Sequence, residues 1–91
     1  MRCEEKVPGG KLVCIEVRAE GGKVAQIRIT GDFFLHPEEA IDALEKALVS
    51  APLSIPEAEA AERLSAALGG ALLIGATCGD LARIFRKAVG G

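Results

Sequence analysis

Lys11–Glu39, KLVCIEVRAEGGKVAQIRITGDFFLHPEE, is the stretch on which the fold of this chain turns. Val13, Ile15, Val17 and Ala19 alternate with Cys14, Glu16 and Arg18, and Ala25, Ile27 and Ile29 alternate with Gln26, Arg28 and Thr30. A period of two sends the apolar set to one face of a strand and the polar set to the other. The β-branched residues in both runs fit a pleated, half-buried surface. Between the runs, Glu20-Gly21-Gly22-Lys23 places a Gly-Gly pair where a tight hairpin turn needs positive φ. The stretch therefore predicts an antiparallel hairpin covered on one side only. It runs on into a loop, Gly31–Pro37, and then into a helix.

Outward from the hairpin toward the start, Arg2-Cys3-Glu4-Glu5-Lys6-Val7 carries the charges of a short edge strand that resists further pairing. Pro8-Gly9-Gly10 then reads as a turn, since Pro fixes φ and glycine accepts unusual dihedrals. A three-stranded meander follows from these elements. In the other direction, Phe33, Phe34 and Leu35 form the densest cluster of large apolar residues in the chain. Gly31-Asp32 ahead of them breaks the strand, with Asp32 suited to satisfying turn backbone N–H groups. His36-Pro37-Glu38-Glu39 has the form of a helix start, with His36 as N-cap, Pro37 at the first helical position and acids in the first turn.

Ile41, Leu44, Ala47 and Leu48 predict one apolar stripe on a helix over about 37–49. Ser54-Ile55-Pro56-Glu57 matches a capping box for a second helix, Pro56–Leu68, with Ala60, Ala61, Leu64, Ala67 and Leu68 inward and Gly69-Gly70 as its stop. Ala71–Gly75 is either a short buried strand or an apolar connector, which periodicity cannot separate over five residues. Thr77-Cys78-Gly79-Asp80 has the form of another capping box. It opens a last helix, Cys78–Val89, with Leu81, Ile84, Phe85 and Ala88 on one face and Gly90-Gly91 at its end. Strands first and helices after predict an α+β fold: a three-stranded antiparallel meander followed by about three helices packed on one face, in a single domain over residues 1–91.

Composition narrows the function classes. With 91 residues the chain buries roughly 60–65% of its unfolded surface, enough for a thin core. The 49% hydrophobic content excludes a disordered chain, and three Phe with no Trp or Tyr make that core aliphatic. A net charge of −2 with scattered basic residues, the densest group being Arg83, Arg86 and Lys87, argues against nucleic acid as a partner. No apolar run reaches the roughly 20 residues of a membrane span, and no signal peptide opens the sequence. Cys3, Cys14 and Cys78 are odd in number and widely spaced, which fits free thiols, a cytoplasmic setting and no tetrahedral zinc site. Pro8-Gly9-Gly10-Lys11 lacks the spacing and the following Ser/Thr of a phosphate loop, and the single His36 has no paired nucleophile.

Pro8-Gly9-Gly10-Lys11-Leu12-Val13, followed by the hairpin and then by Ile29-Thr30-Gly31-Asp32-Phe33-Phe34 with Pro37 nearby, resembles the accessory (C-terminal) domain of lipoate–protein ligases. In many archaea that domain is a separate small subunit of a bipartite ligase. The resemblance runs from about Lys6 to Val89, with the PGGKLV and GDFF blocks its specific part. It implies a small α+β fold similar to sulfur-acceptor and iron–sulfur scaffold proteins of the SufE/NifU type. It further implies a non-catalytic subunit that binds no cofactor alone and forms a heterodimer with a catalytic subunit holding lipoate and ATP with Mg. That pair would make lipoyl-AMP and pyrophosphate. Transfer to a lysine of the lipoyl acceptor domains of 2-oxoacid dehydrogenase complexes, or of the glycine-cleavage H protein, would not need the accessory subunit.

Seven residues follow as candidates for assisting adenylation across the subunit boundary: Gly10, Lys11, Gly31, Asp32, Phe33, Phe34 and His36. Lys11 offers a point charge with three donors that can reach a phosphate or carboxylate. Of the adjacent Phe33 and Phe34, one is expected in the core and the other as an anchor on the partner. Cys78, near a helix N-terminus where a thiol pKa falls, supports the alternative of a sulfur-transfer or iron–sulfur scaffold protein. The lack of closely spaced cysteine ligands counts against it. Cys14, among strand residues, reads as an inert small hydrophobe.

Overall fold

The computed structural model describes residues 1–90, so Gly91, half of the expected final Gly-Gly stop, lies outside the described residues. The elements are β1 (Arg2–Lys6), β2 (Leu12–Glu20), β3 (Lys23–Gly31), β4 (Phe34–His36), α1 (Ala40–Lys46), α2 (Glu57–Leu68), β5 (Leu72–Ile74) and α3 (Cys78–Ala88). The fold is α+β, with β1, β2 and β3 forming the antiparallel meander and three helices packed with it. A second, two-stranded sheet of β4 and β5 adds to that plan.

The β2–β3 turn sits on Gly21 (φ 59°) and Gly22 (φ 76°), the left-handed pair that hairpins favour. Val13, Ile15, Val17, Ile27 and Ile29 point into the core as the alternation requires. The alternation fails once. A register irregularity at Arg18/Ala19 pairs Ala19 with Val24, so Val24 is buried and Ala25 is not. A bulge inserts one residue and flips the faces beyond it, so Ala25 does not take the core position expected of it.

α3 lies across β1 and β2, α1 lies against β3, and α2 packs on α3 and α1. The core they share includes Val13, Ile15, Leu44, Leu64, Leu81, Ile84 and Phe85, all fully buried. The outer edge of β3 is blunted on this side too. Val24 donates to the Ala51 carbonyl (2.9 Å), Ser50 to the Val24 carbonyl (2.8 Å), and Ile29 N–H to the Glu45 carboxylate (2.8 Å). Satisfying an edge strand in this way removes a template for unwanted pairing.

Helix ends differ from the expectations in three places. α1 covers only Ala40–Lys46, because Pro37–Glu39 and Ala47–Val49 form i→i+3 turns at its ends. Its N-cap is Glu39, not His36, and Pro37 is three residues outside the helix. The Ser54–Glu57 capping box is not made: the N-cap of α2 is Pro56, with no side-chain hydrogen bond. At α3 the expected box is complete, with Thr77 Oγ1 accepting from Asp80 N–H and Asp80 Oδ2 accepting from Thr77 N–H, both at 3.0 Å. Gly69 (φ 55°) ends α2 as anticipated. Among the described residues no helix is long and apolar enough to cross a membrane.

Candidate functional site

The chain leaves β3 at Gly31 and stays against the start of β2. A Cβ at Gly31 would overlap the Leu12 carbonyl oxygen and come within 3.0 Å of Val13 Cα, so only glycine fits. Asp32 N–H then donates to the same Leu12 carbonyl (2.8 Å). The role of Asp32 at this exit is carried by its backbone.

One residue further on, Phe34–His36 form a strand within the stretch for which the sequence predicts a loop. Phe34 pairs with Ile74, Leu35 with Leu73 and His36 with Leu72, which also resolves Ala71–Gly75 in favour of a strand. Period two divides this ribbon into two faces. Leu35 and Leu73 pack against the core, together with Phe33. Phe34 (67% exposed), Leu72 (56%) and Ile74 (52%) lie outside with His36. Among the described residues, three of the five exposed large hydrophobic residues thus share one small ribbon face. The His36–Pro37 peptide at its end is cis.

Lys11 reaches the same end of the molecule through Gly75. A Cβ on Gly75 (φ 98°) would lie 3.2 Å from Lys11 Cγ and 3.4 Å from Phe33 Cα. Gly75 is the point where the 8–11 turn, the GDFF segment and β5 converge. Gly10 (φ 83°) shapes that turn, donating to the Val7 carbonyl (2.9 Å), while Val7 N–H donates to the Lys11 carbonyl (2.8 Å). Lys11 lines a cleft of about 420 Å³ with Pro8, Gly75, Thr77 and Asp80. A second groove of about 430 Å³ runs beside Phe34, lined by Thr30, Phe33, Leu35, Glu38 and Ile41.

The seven candidates therefore sort by position. Phe34 and His36 stand on the exposed ribbon face, and Lys11 stands on the cleft beside β5. Phe33 packs on the core, and Gly10, Gly31 and Asp32 set the backbone that carries the others. Leu72 and Ile74 were missed by the sequence reading. Three consecutive apolar residues carry no alternation in the sequence, and the outward turn of Leu72 and Ile74 follows only from their pairing with β4.

The cleft ends on a charged cluster. Arg83 donates to Asp80 (2.9 Å) and to Glu5 (2.9 and 3.1 Å), and Lys87 also donates to Glu5. Lys87 and then Arg83 hold the Glu5 carboxyl below its ordinary value. Burial acts to raise the Asp80 carboxyl, but hydrogen bonds from Arg83 and Thr77 outweigh it and hold Asp80 low. The basic residues expected as a surface cluster are thus engaged: Arg83 and Lys87 tie α3 to β1, and Arg86 donates to the Leu53 carbonyl.

Cys78 opens α3, where a lowered thiol pKa was anticipated; partial burial raises it instead. The Asp80 carboxylate and the closed capping box already occupy the helix start, so the helix end does little to favour a thiolate there. Cys14 is buried and Cys3 half-buried, and all three thiols are free. Among the described residues no three His, Cys, Asp or Glu side chains group as metal ligands.

No protein-family model and no curated protein matches the sequence. A solved structure does match the fold. It comes from a study of an archaeal lipoylation system of Thermoplasma acidophilum, a bipartite lipoate protein ligase and its E2 lipoyl domain. A chain of that structure superposes with a TM-score of 0.74 at 22% sequence identity, covering 94% of this chain and 93% of that one. At that identity the likeness is one of fold, and it runs nearly end to end.

Proposed function

We propose that this chain is the accessory subunit of a bipartite lipoate–protein ligase. The observation that carries the reading is the near end-to-end superposition on a chain of such a system. The ribbon gives it a physical form. Apolar side chains gathered on one exposed face mark interaction sites more often than isolated ones do. Phe34, Leu72 and Ile74 form such a face, with Lys11 and a groove on either side. The partner is the catalytic subunit, which holds lipoate and ATP with Mg, in the cytoplasm.

Three apolar side chains alone fall well short of the roughly 800 Å² per partner that a stable interface buries. The catalytic subunit must therefore also engage the flanking groove and the Lys11 cleft. Docking then stabilises the closed form of a substrate loop on the partner, by no more than its differential affinity for the closed and open forms. Closure excludes water from the charged adenylation transition state, where preorganised dipoles count most. Lys11, a mobile ammonium at the boundary, is placed to meet a phosphate or carboxylate there. Transfer from lipoyl-AMP to the acceptor lysine needs no such closure. The raised Cys78 pKa and the separate thiols give the sulfur-transfer alternative no support.

The test is lipoate-dependent pyrophosphate release by the candidate catalytic subunit with and without this chain, beside transfer from ready-made lipoyl-AMP to an acceptor domain. Adenylation that needs the chain, with transfer that does not, is the expected pair of results. Adenylation at full rate without the chain, or no co-elution of the two proteins at micromolar concentration, would overturn the proposal.

A further inference from the structure

Charge is unevenly spread over this acidic chain. The outer face of the three-stranded sheet, turned away from the helices, carries five cations (Arg2, Lys6, Arg18, Lys23, Arg28) against three carboxylates (Glu4, Glu16, Glu20). Residues 37–63, with α1 and α2, carry seven carboxylates against two cations. The register concentrates the cations further. Arg2 and Arg28 flank Glu16 from the two neighbouring strands, and Arg18 is the next residue of β2 on the same face. Strand spacing of about 4.8 Å and a two-residue repeat of about 6.7 Å put the three arginine Cα atoms within about 10–12 Å of one another.

These arginines surround a concavity of about 440 Å³, with Glu16 and Gln26 on its wall. Arg2 divides its donors between Glu4 and Glu16, both 3.4 Å away and well exposed, which makes those pairs weak and exchangeable. Among the described residues neither Arg18 nor Arg28 has a carboxylate within ion-pairing distance. Two unengaged guanidinium forks converge on one hollow, and a fork matches phosphate oxygens two at a time. The acidic remainder of the chain repels a long polyanion, so the ligand that fits is short.

We propose that this face holds a binding site for a short phosphate chain, pyrophosphate or the polyphosphate tail of a nucleotide, gripped by Arg18 and Arg28 with Arg2 at the rim. The site is separate from the ribbon and does not depend on the ligase reading. Phosphate enters by accepting from the two free forks. Arg2 leaves Glu4 and turns inward, while Glu16 stays paired with it and limits the net attraction. Exposure makes binding fall with added salt.

The experiment is an amide NMR titration of the full chain with sodium pyrophosphate and with tripolyphosphate at low ionic strength, with sulfate at matched ionic strength as the control. Saturable shifts confined to β1, β2 and β3 around Arg2, Arg18 and Arg28 are expected, tighter for tripolyphosphate. The Arg18→Ala/Arg28→Ala chain should stay folded and bind at least tenfold more weakly. The Arg18→Lys/Arg28→Lys chain should fall between the two, having charge without forks. ATP tested in parallel separates the sources, since equal affinity for ATP and tripolyphosphate means that only the phosphates are read. Shifts of equal size with sulfate, or unchanged affinity in the double alanine chain, would overturn the site.

Discussion

Gly31 is where β3 ends and the ribbon begins, and the structure leaves no room there for a side chain. Alanine would have to push the Leu12 carbonyl away from its bond with Asp32 N–H, at φ 155°. Gly31→Ala is expected to destabilise the fold by about 2–4 kcal/mol, the range for a strained position with a backbone overlap; a denaturant midpoint equal to the wild type would contradict this. Lys11 is a different case, since it stands on an exposed turn and its loss leaves the core intact. Lys11→Ala should keep the chain bound to the catalytic subunit and slow pyrophosphate release about tenfold, about 1.4 kcal/mol of barrier. Unchanged release would remove Lys11 from the account. The sequence separated these two kinds of residue only partly. GDFF was legible as a special segment, and the division of Phe33 inward and Phe34 outward was anticipated in kind. His36 was legible as a candidate but not as a strand residue, because its partner Leu72 lies far away along the chain.

At the scale of elements, legibility followed the range of the interactions. The α3 capping box joins groups three residues apart and was readable, as was the Gly-Gly hairpin turn. The β4–β5 pairing joins two three-residue segments from opposite halves of the chain, and no local pattern announces it. The bulge that exchanges Val24 for Ala25 is equally silent. Two predictions belong here. Thr77→Ala opens the capping box and should cost about 1 kcal/mol, read as a lower thermal midpoint, which Thr77→Ser should largely restore. The tie between α3 and β1 makes stability depend on pH. Glu5 and Asp80 have folded-state pKa values below their ordinary 4.5 and 3.8, so the native state favours their ionised forms. Their contribution is therefore full above about pH 5 and is lost as pH falls through the depressed values. Glu5→Gln should be less stable than wild type at pH 6, with the gap closing toward pH 3. A gap that stays constant across that range would show that the ion cluster contributes nothing through Glu5.

Over the whole molecule, three surfaces differ in chemistry. Acidic groups gather on α1 and α2, arginines on the open sheet face, and apolar side chains on the β4–β5 ribbon beside Lys11. An uneven charge distribution orients an approaching partner before contact, and apolar contact then holds it. The α+β order of elements was readable from the sequence, since strands and helices occupy separate halves apart from β5. The exposure of the ribbon was not, because it depends on which elements leave that end uncovered. In the proposed complex this face seats the chain on a catalytic subunit and switches on adenylation. The direct test is to titrate this chain into a fixed amount of the candidate catalytic subunit and follow lipoate-dependent pyrophosphate release, comparing wild type with Phe34→Asp. Phe34 is exposed, so the variant should keep the wild-type thermal midpoint within about 0.5 kcal/mol of stability. Saturable activation by the wild type is expected, with at least a tenfold higher half-saturating concentration for Phe34→Asp. Activation curves that coincide would contradict the ribbon as the docking face, and no activation by either chain would contradict the accessory role itself.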